Sequence, residues 1–475
     1  MYNRQPLRSP SPRGGPQPPR STALYEAILR LQDLEECLRF FDDLCAVTEL
    51  RTLEQRYDVA GCLMQGKVYS EIRRETGASS ATVSRVNRML NYGTGQVARS
   101  VRYDLEHAPG GQPGPDPTGH TGRRQFMSVQ IKPFGTTRDG TPVQLAVLKN
   151  EHLEAHIISY AAAIQKLLVP DRAGRPVDVV LGFPDVAGYE DNGGALGSVV
   201  GRYANRIGGA RFYLNAEEYH LTANDHGSCL HSGLHGFGRT VFEMELADAG
   251  DAAVVLRAVS PDGTDGFPGT VTLEVQYSLV GSGLMIQYAV TTDAPTVINI
   301  TNHSYFNLNG HNAGTVLGHR LQLDAPEYLE TNEHLIPTGT VLPTAGTALD
   351  FTEEKTIGRD IGADETALHY GNGYDHCLIV PDSGLRHFAW LTGPQTGIRM
   401  ETLSTLPAVQ LYSANSLSIK TPGKEGADYG FREAVCLETQ DYPDAPNHMD
   451  FPDTTVTPKT PYSATTLYRF DIAPQ

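Results

Sequence analysis

Residues 270–279 read TVTLEVQYSL, and their alternation decides the fold class of most of the chain. Val271, Leu273, Val275, Tyr277 and Leu279 fall on every second position, with Thr272, Glu274, Gln276 and Ser278 between them. A strand turns successive side chains to opposite faces, so this stretch presents one apolar and one polar face. Outward from it, Leu284 to Val290 alternates in part, while Ala252–Leu256 and Val297–Ile300 are apolar runs of strand length. Gly, Asn, Asp and Pro punctuate these runs, and no long helical pattern separates them. Many short strands between turn residues predict an all-β sandwich. Met127 opens this region and could itself begin a complete protein.

Upstream the pattern changes. Residues 104–126 are dominated by Gly and Pro, as in EHAPGGQPGPDPTGHTGRR from Glu106 to Arg124, and predict a flexible to semi-extended linker. His107 and His120 within it are expected to be solvated. Residues 23–103 show no strand pattern. Leu24, Ile28, Leu31, Leu34, Leu38 and Phe41 recur at helical steps, and further helices are predicted over Glu49–Met64, Tyr69–Glu75 and Ser80–Leu90. Residues 1–22 are rich in Pro, Arg, Gly and Ser and predict a mobile tail. The chain is therefore read as multidomain: a tail, an all-α unit over 23–103, a linker over 104–126 and an all-β unit over 127–475.

Charge is divided along the same line. Residues 1–105 hold 15 Lys and Arg against 12 Asp and Glu, while the remainder holds 23 against 43. An acidic body does not bind polyanions over its surface, so any nucleic-acid contact is expected in the N-terminal part. No apolar run reaches membrane-span length, and the first twenty residues lack the apolar core of a secretory signal. Cys37, Cys45, Cys62, Cys229, Cys377 and Cys436 are scattered without metal-ligand spacing. They are expected to be reduced thiols in a cytoplasmic protein.

Five polar knots interrupt the strands: GRYANRI (Gly201–Ile207), LHSG (Leu230–Gly233), TNHSYFNL (Thr301–Leu308), GYDH (Gly373–His376) and LETQDYPDAPN (Leu437–Asn447). In the last, Ala434–Leu437 reads as a strand with Glu438 at its end. Singly, each knot is a weak signal: a lone strand histidine is commonly a bonded core residue, and Glu438 could be a solvated acid before a turn. Together they supply a base, two imidazoles, a guanidinium and a second carboxylate, a set suited to a polyhydroxylated ligand. No HxH or HExxH spacing points to a metal among His231, His303, Asp375, His376 and Glu438, and no GxSxG elbow points to a serine nucleophile. No metal and no cofactor are expected.

In the N-terminal unit, Tyr69–Glu75, a turn at Thr76-Gly77-Ala78 and Ala81–Leu90 form a helix-turn-helix pattern, with Ser79 or Ser80 as cap. Val83, Val86 and Leu90 share one face. Ser79, Ser80, Thr82, Ser84, Arg85 and Arg88 are left to face outward, where hydroxyls and guanidinium groups suit phosphate and base-edge contact. From spacing alone a plain helical hairpin fits equally.

Two resemblances sharpen these readings. LMQGKVYSEIRRETGASSATVSRVNRML, from Leu63 to Leu90, resembles the Trp-repressor-like helix-turn-helix family. That implies DNA as a partner and a homodimer built through the N-terminal helices. Arg56 and Arg85 match positions that hold the amino-acid ligand there, but Val86 stands where the repressor has Gly, so tryptophan is not carried over as ligand. The five knots, in their order, resemble the aldose 1-epimerase (galactose mutarotase) family over 127–474. That implies a large antiparallel β sandwich needing no metal or nucleotide, with an aldohexose as substrate. It implies Glu438 as general base, His303 as general acid and His231 as a second imidazole at the ring oxygen. Arg206 and Asp375, and more weakly Asn205 and Gln410, fall on substrate-binding positions. Ser232 departs from the family, which usually has a second Gly there. An enzyme tethered to a DNA-binding module is the leading expectation. A sugar-responsive transcriptional regulator whose β domain binds without turnover stays open at this point, as does the joining of two neighbouring reading frames.

Overall fold

The computed structural model describes residues 128–474, apart from 193–195 and 248–251, together with 47–64, 69–78 and single positions between 36 and 101. The chain divides into two compact units, Met1–Thr118 and Gly119–Gln475. The expected tail, the linker, and Ser79, Ser80, Ser84, Arg85 and Arg88 lie outside the described residues. No described helix is long and apolar enough to cross a membrane.

In the first unit two helices are described, α1 (Val47–Met64) and α2 (Tyr69–Thr76), within a residue or two of the expected bounds. Thr76 ends α2 by folding its hydroxyl back onto Ile72 O (2.7 Å). Gly77 then takes φ +67°, the left-handed turn that glycine enters without a Cβ penalty. Lys67 Nζ reaches Glu75 Oε2 at 2.6 Å, tying the connection to α2. Val59, Ala60, Ile72, Ala78, Val86 and Val101 form a small buried core. Val86 thus sits on the apolar face expected of it, while Thr82 is helical and half-buried.

The second unit is built from antiparallel ladders. A nine-stranded sheet runs in the order 243–246, 253–260, 271–280, 283–292, 462–472, 398–404, 386–392, 320–323, 355–356. A five-stranded sheet runs 337–343, 327–331, 375–379, 408–412, 436–440, and a second one takes 128–136, 142–149, 154–158, 164–170 and 176–178 in chain order. Residues 271–279 alternate as read: Val271, Leu273, Val275, Tyr277 and Leu279 are buried. They join one continuous core with Ile286, Leu391, Met400 and Phe470 of the same sheet, Leu378, Val409, Leu411 and Leu437 of one five-stranded sheet, and Leu148, Ile157 and Leu167 of the other. Each such side chain contributes roughly 1.5–3 kcal/mol relative to exposure.

One expectation is corrected here. Glu438 is not at the end of its strand but at the middle of Cys436–Gln440, every residue of which is buried. Asp441, Pro443 and Asp444 break regular structure soon after it, yet Thr439 and Gln440 continue the ladder opposite Val409 and Ala408. The strand accepts polar residues because its two faces meet different surroundings. Leu437 faces the apolar core. The other face is set by register: Glu438 pairs with Gln410 and Gln410 with Cys377, while Cys436 pairs with Tyr412 and Tyr412 with Asp375. Directly paired residues share a face, and so do residues two apart. Asp375, Gln410, Tyr412, Cys436 and Glu438 therefore line one side of the three strands.

Candidate active site

That polar face forms the floor of a cavity of about 320 Å³, near the lower end of the roughly 300–1,000 Å³ usual for small-molecule sites. Its lining includes all seven residues singled out above in the β unit, namely Asn205, Arg206, His231, His303, Asp375, Gln410 and Glu438. Asp225, Leu230, Tyr305, Tyr412 and Ser416 complete it; Leu230 and Tyr305 fall within the knots quoted above, while Asp225, Tyr412 and Ser416 carry no signal in the sequence.

His303 ends the short strand Thr301–His303, which pairs with Ser198–Val200. Its neighbour Asn302 points the other way, into the core, donating from Nδ2 to Gly197 O (2.8 Å). His303 is left facing the cavity, with Nε2 3.4 Å from Glu438 Oε1. Tyr305 stacks on the imidazole at 4.9 Å with the planes 7° apart, and Tyr412 stands edge-on to both rings. These two aromatic rings fix the plane of His303.

His231 is held from the opposite wall. Its backbone is left-handed (φ 52°), and its N–H donates to Asn205 O (3.0 Å). In return the Asn205 N–H donates to His231 Nδ1 (3.1 Å). A neutral ring whose Nδ1 accepts carries its proton on Nε2, leaving that N–H free to donate elsewhere. The loop behind it is tight: a Cβ on Gly236 would meet Gly201 O at 2.7 Å and His231 O at 2.9 Å. Ser232, the departure noted above, is built in: its hydroxyl accepts from Tyr203 N–H (2.7 Å) and donates to Tyr203 O (3.1 Å). The rings of His231 and His303 meet edge to face at 5.5 Å.

The charged groups are linked. Arg206 Nε donates to Asp225 Oδ2 at 2.8 Å. Gln410 Nε2 donates to Asp375 Oδ1 at 2.6 Å. His376, next to Asp375, takes no part in the cavity. Its Nδ1 accepts from the Asp375 N–H (3.0 Å) and its Nε2–H donates to Ala367 O (3.1 Å), so it fixes the start of the strand. The other arginine of the GRYANRI knot, Arg202, is buried and does not line the cavity.

Burial governs the protonation states. It lowers His303 to about 4 and pushes His231 well below the ordinary imidazole range, where His303 and Arg206 push it further. It raises Glu438 well above the ordinary carboxylate range; the nearby charge of Asp375 adds to this and Arg206 opposes it. Asp375 is itself raised by burial and pulled back by Arg206 and Gln410. Between the titration of His303 and that of Glu438 the two groups therefore hold one proton between them. His303, Cys436 and Glu438 bring ligand atoms within 4.8 Å of one another and are the described side chains that could hold a metal ion. Burial beside Glu438 keeps the Cys436 thiol in its neutral form, which is the poorer ligand.

Comparison with known proteins gives the chain its relatives. The family model described as Aldose 1-epimerase matches residues 144–469, and that described as Trp repressor protein matches 20–103. The galactose mutarotase of Homo sapiens is 37% identical over 350 residues, 73% of this chain and 100% of that protein. The aldose 1-epimerase of Escherichia coli (strain K12) is 32% identical over 338 residues, 70% of this chain and 96% of that protein. Among solved structures, a GalM/aldose epimerase homologue from C. elegans matches with TM-score 0.64 and 26% identity, over 73% of this chain and 100% of that one.

Proposed function

We propose that this chain, which belongs to the aldose 1-epimerase family, interconverts the α and β anomers of an aldohexose such as glucose or galactose by general acid/base ring opening and closure. The observation that carries the reading is the 3.4 Å approach of His303 Nε2 to Glu438 Oε1 on the wall of the cavity. In a cyclic aldose the C1 hydroxyl oxygen and the ring oxygen are both bonded to C1. An acid and a base serving them must therefore be neighbours, as this pair is.

Glu438 takes the proton of the C1 hydroxyl while His303 gives one to the ring oxygen. The bond from C1 to the ring oxygen breaks and an aldehyde forms. Rotation about C1–C2 turns the other face of the carbonyl to the returning hydroxyl. On closure Glu438 returns its proton to the carbonyl oxygen and His303 recovers one from the hydroxyl. The productive microstate places the charge on Glu438 and the proton on His303. Arg206, which favours ionised Glu438, supports it. The Nε2–H of His231 supports the ring oxygen, and Arg206, Asn205, Asp375 and Gln410 bind sugar hydroxyls. Polarimetry on freshly dissolved α-glucose and α-galactose tests this: the full chain accelerates both decays above the spontaneous rate, and a chain that accelerates neither ends the proposal.

The N-terminal unit is read as a DNA-binding module of the helix-turn-helix type, supported by the family match over 20–103 and by the turn at Gly77. Fluorescence anisotropy with a pool of duplexes at fixed salt tests it, and adding aldose in the same titration asks whether the units communicate. Light scattering of the full chain tests the homodimer that the resemblance implies. The free thiols of Cys62, Cys229, Cys377 and Cys436 support a reducing, cytoplasmic setting. The acid/base pair favours turnover over a purely sensing β domain, since a sensor has no need to move protons.

A further inference from the structure

Asp225 is absent from the acid/base scheme, yet it is built into the cavity wall. It opens the turn Asp225-His226-Gly227-Ser228, in which Asp225 N–H donates to Ser228 O (3.1 Å) and Ser228 N–H donates to Asp225 O (2.7 Å). His226 (φ 45°) and Gly227 (φ 83°) are both left-handed, the signature of a type I′ hairpin turn. The preceding residue clamps the turn to the His231 loop. Asn224 Oδ1 accepts from Leu230 N–H (2.7 Å), while its Nδ2 donates to Leu230 O (3.0 Å) and Gly233 O (3.2 Å). Asp225 is thus held rigidly, with its carboxylate against Arg206.

The consequence lies in the charge of the cavity. Among the described lining residues Arg206 is the one permanent cation, and it faces three carboxyl groups, Asp225, Asp375 and Glu438. Its Nε–H is already given to Asp225. A ligand bringing a negative group meets a cation already ion-paired and an acid beside it.

We infer that Asp225 is a specificity-determining residue: by ion-pairing with Arg206 and adding its own negative charge to the wall it makes the cavity reject aldoses that carry a carboxylate or phosphate while admitting neutral ones. This rests on the function proposed above. Neutral sugar hydroxyls lose little, because they bond to either partner of the pair. An anionic sugar would need to displace Asp225 from Arg206, leaving a carboxylate in a half-buried wall without its partner.

The test uses the full chain, with glucose, glucuronate and glucose 6-phosphate at equilibrium. Magnetisation exchange between the anomeric protons gives kcat/KM for each sugar without a pure anomer. In the wild-type chain the anionic sugars are processed far less efficiently than glucose. Asp225→Asn and Asp225→Ser raise the ratio of anionic to neutral kcat/KM about tenfold or more, the order expected for removing one charge a few ångströms away at surface-like dielectric. Raising salt shrinks that gain. Ratios unchanged in both variants overturn the inference. So does a wild-type chain that handles glucuronate as well as glucose, a result that needs no variant to fold. If the wild-type chain exchanges no aldose at all, the proposed function has failed by itself. Ligand-observed NMR binding of glucuronate against glucose then decides the Asp225 claim by the same ratio.

Discussion

His303 and Glu438 stand 3.4 Å apart although they belong to different sheets, one on the short ladder with Ser198–Val200 and the other at the middle of a five-stranded sheet. The approach is enforced from both sides. Asn302 anchors the first strand in the core, and pairing with Gln410 fixes the second. A carboxylate and an imidazole brought together in this way, both buried, serve proton transfer better than they serve stability, since burial disfavours the charged form of each.

Glu438→Gln keeps the shape of the side chain and removes its basicity. Mutarotation should fall by about a hundred- to ten-thousand-fold while glucose still binds. His303→Asn should do likewise. Polarimetry reads the first quantity and ligand-observed NMR the second. Turnover near wild type in either variant removes that residue from the acid/base pair.

The pH profile tests how the pair is tuned. The proposed catalysis needs one proton in the pair, so kcat/KM should fall as pH rises through the titration of Glu438, which burial and Asp375 raise above the range of an ordinary carboxylate. The two charged neighbours act in opposite senses. Asp375→Asn removes a charge that raises Glu438 and should move the alkaline limb to lower pH. Arg206→Gln removes one that lowers it and should move the limb to higher pH. Both variants are expected to raise KM, which a merely structural role would also do; the opposed displacements are what it would not. Shifts of the same sign in both would refute the electrostatic account.

Much of this was open to reading in the sequence, and the failures share a cause. Val271 to Leu279 announced a strand because one face is apolar and the other half-exposed. Glu438 reads as a strand end because Asp441, Pro443 and Asp444 break regular structure soon after it, and a strand whose second face lines a polar cavity breaks the alternation rule. For Tyr305 and Tyr412, nothing in the sequence spacing shows that they bracket an imidazole. Nothing in the sequence marks Asp225 out among the other turn residues. Its meaning depends on Arg206, far from it in the pattern of the sequence, and on the loop that the Asn224 clamp holds. The glycine turn after α2 was legible from Thr76-Gly77-Ala78, because a left-handed position demands that residue type.

The GRYANRI knot contains two arginines, and the structure separates their duties. Arg202 is 1% exposed. Nε donates to Ser260 Oγ, Nη1 to Pro268 O and more weakly to Phe267 O, and Nη2 to Ser260 O and Pro261 O. All five guanidinium donors are used, and burial still lowers its pKa to about 10. Arg202→Met should therefore cost about 3 kcal/mol or more, because several buried carbonyls lose their donors at once. Arg202→Lys should recover only part, since an ammonium offers three donors from one point where the guanidinium offers five in a plane. Urea unfolding measures the loss as a lowered midpoint at unchanged slope. The folded fraction of each variant should keep the wild-type KM for glucose, as Arg202 does not line the cavity. A variant as stable as wild type but with a raised KM would move Arg202 into the site and return the division of labour between the two arginines to question.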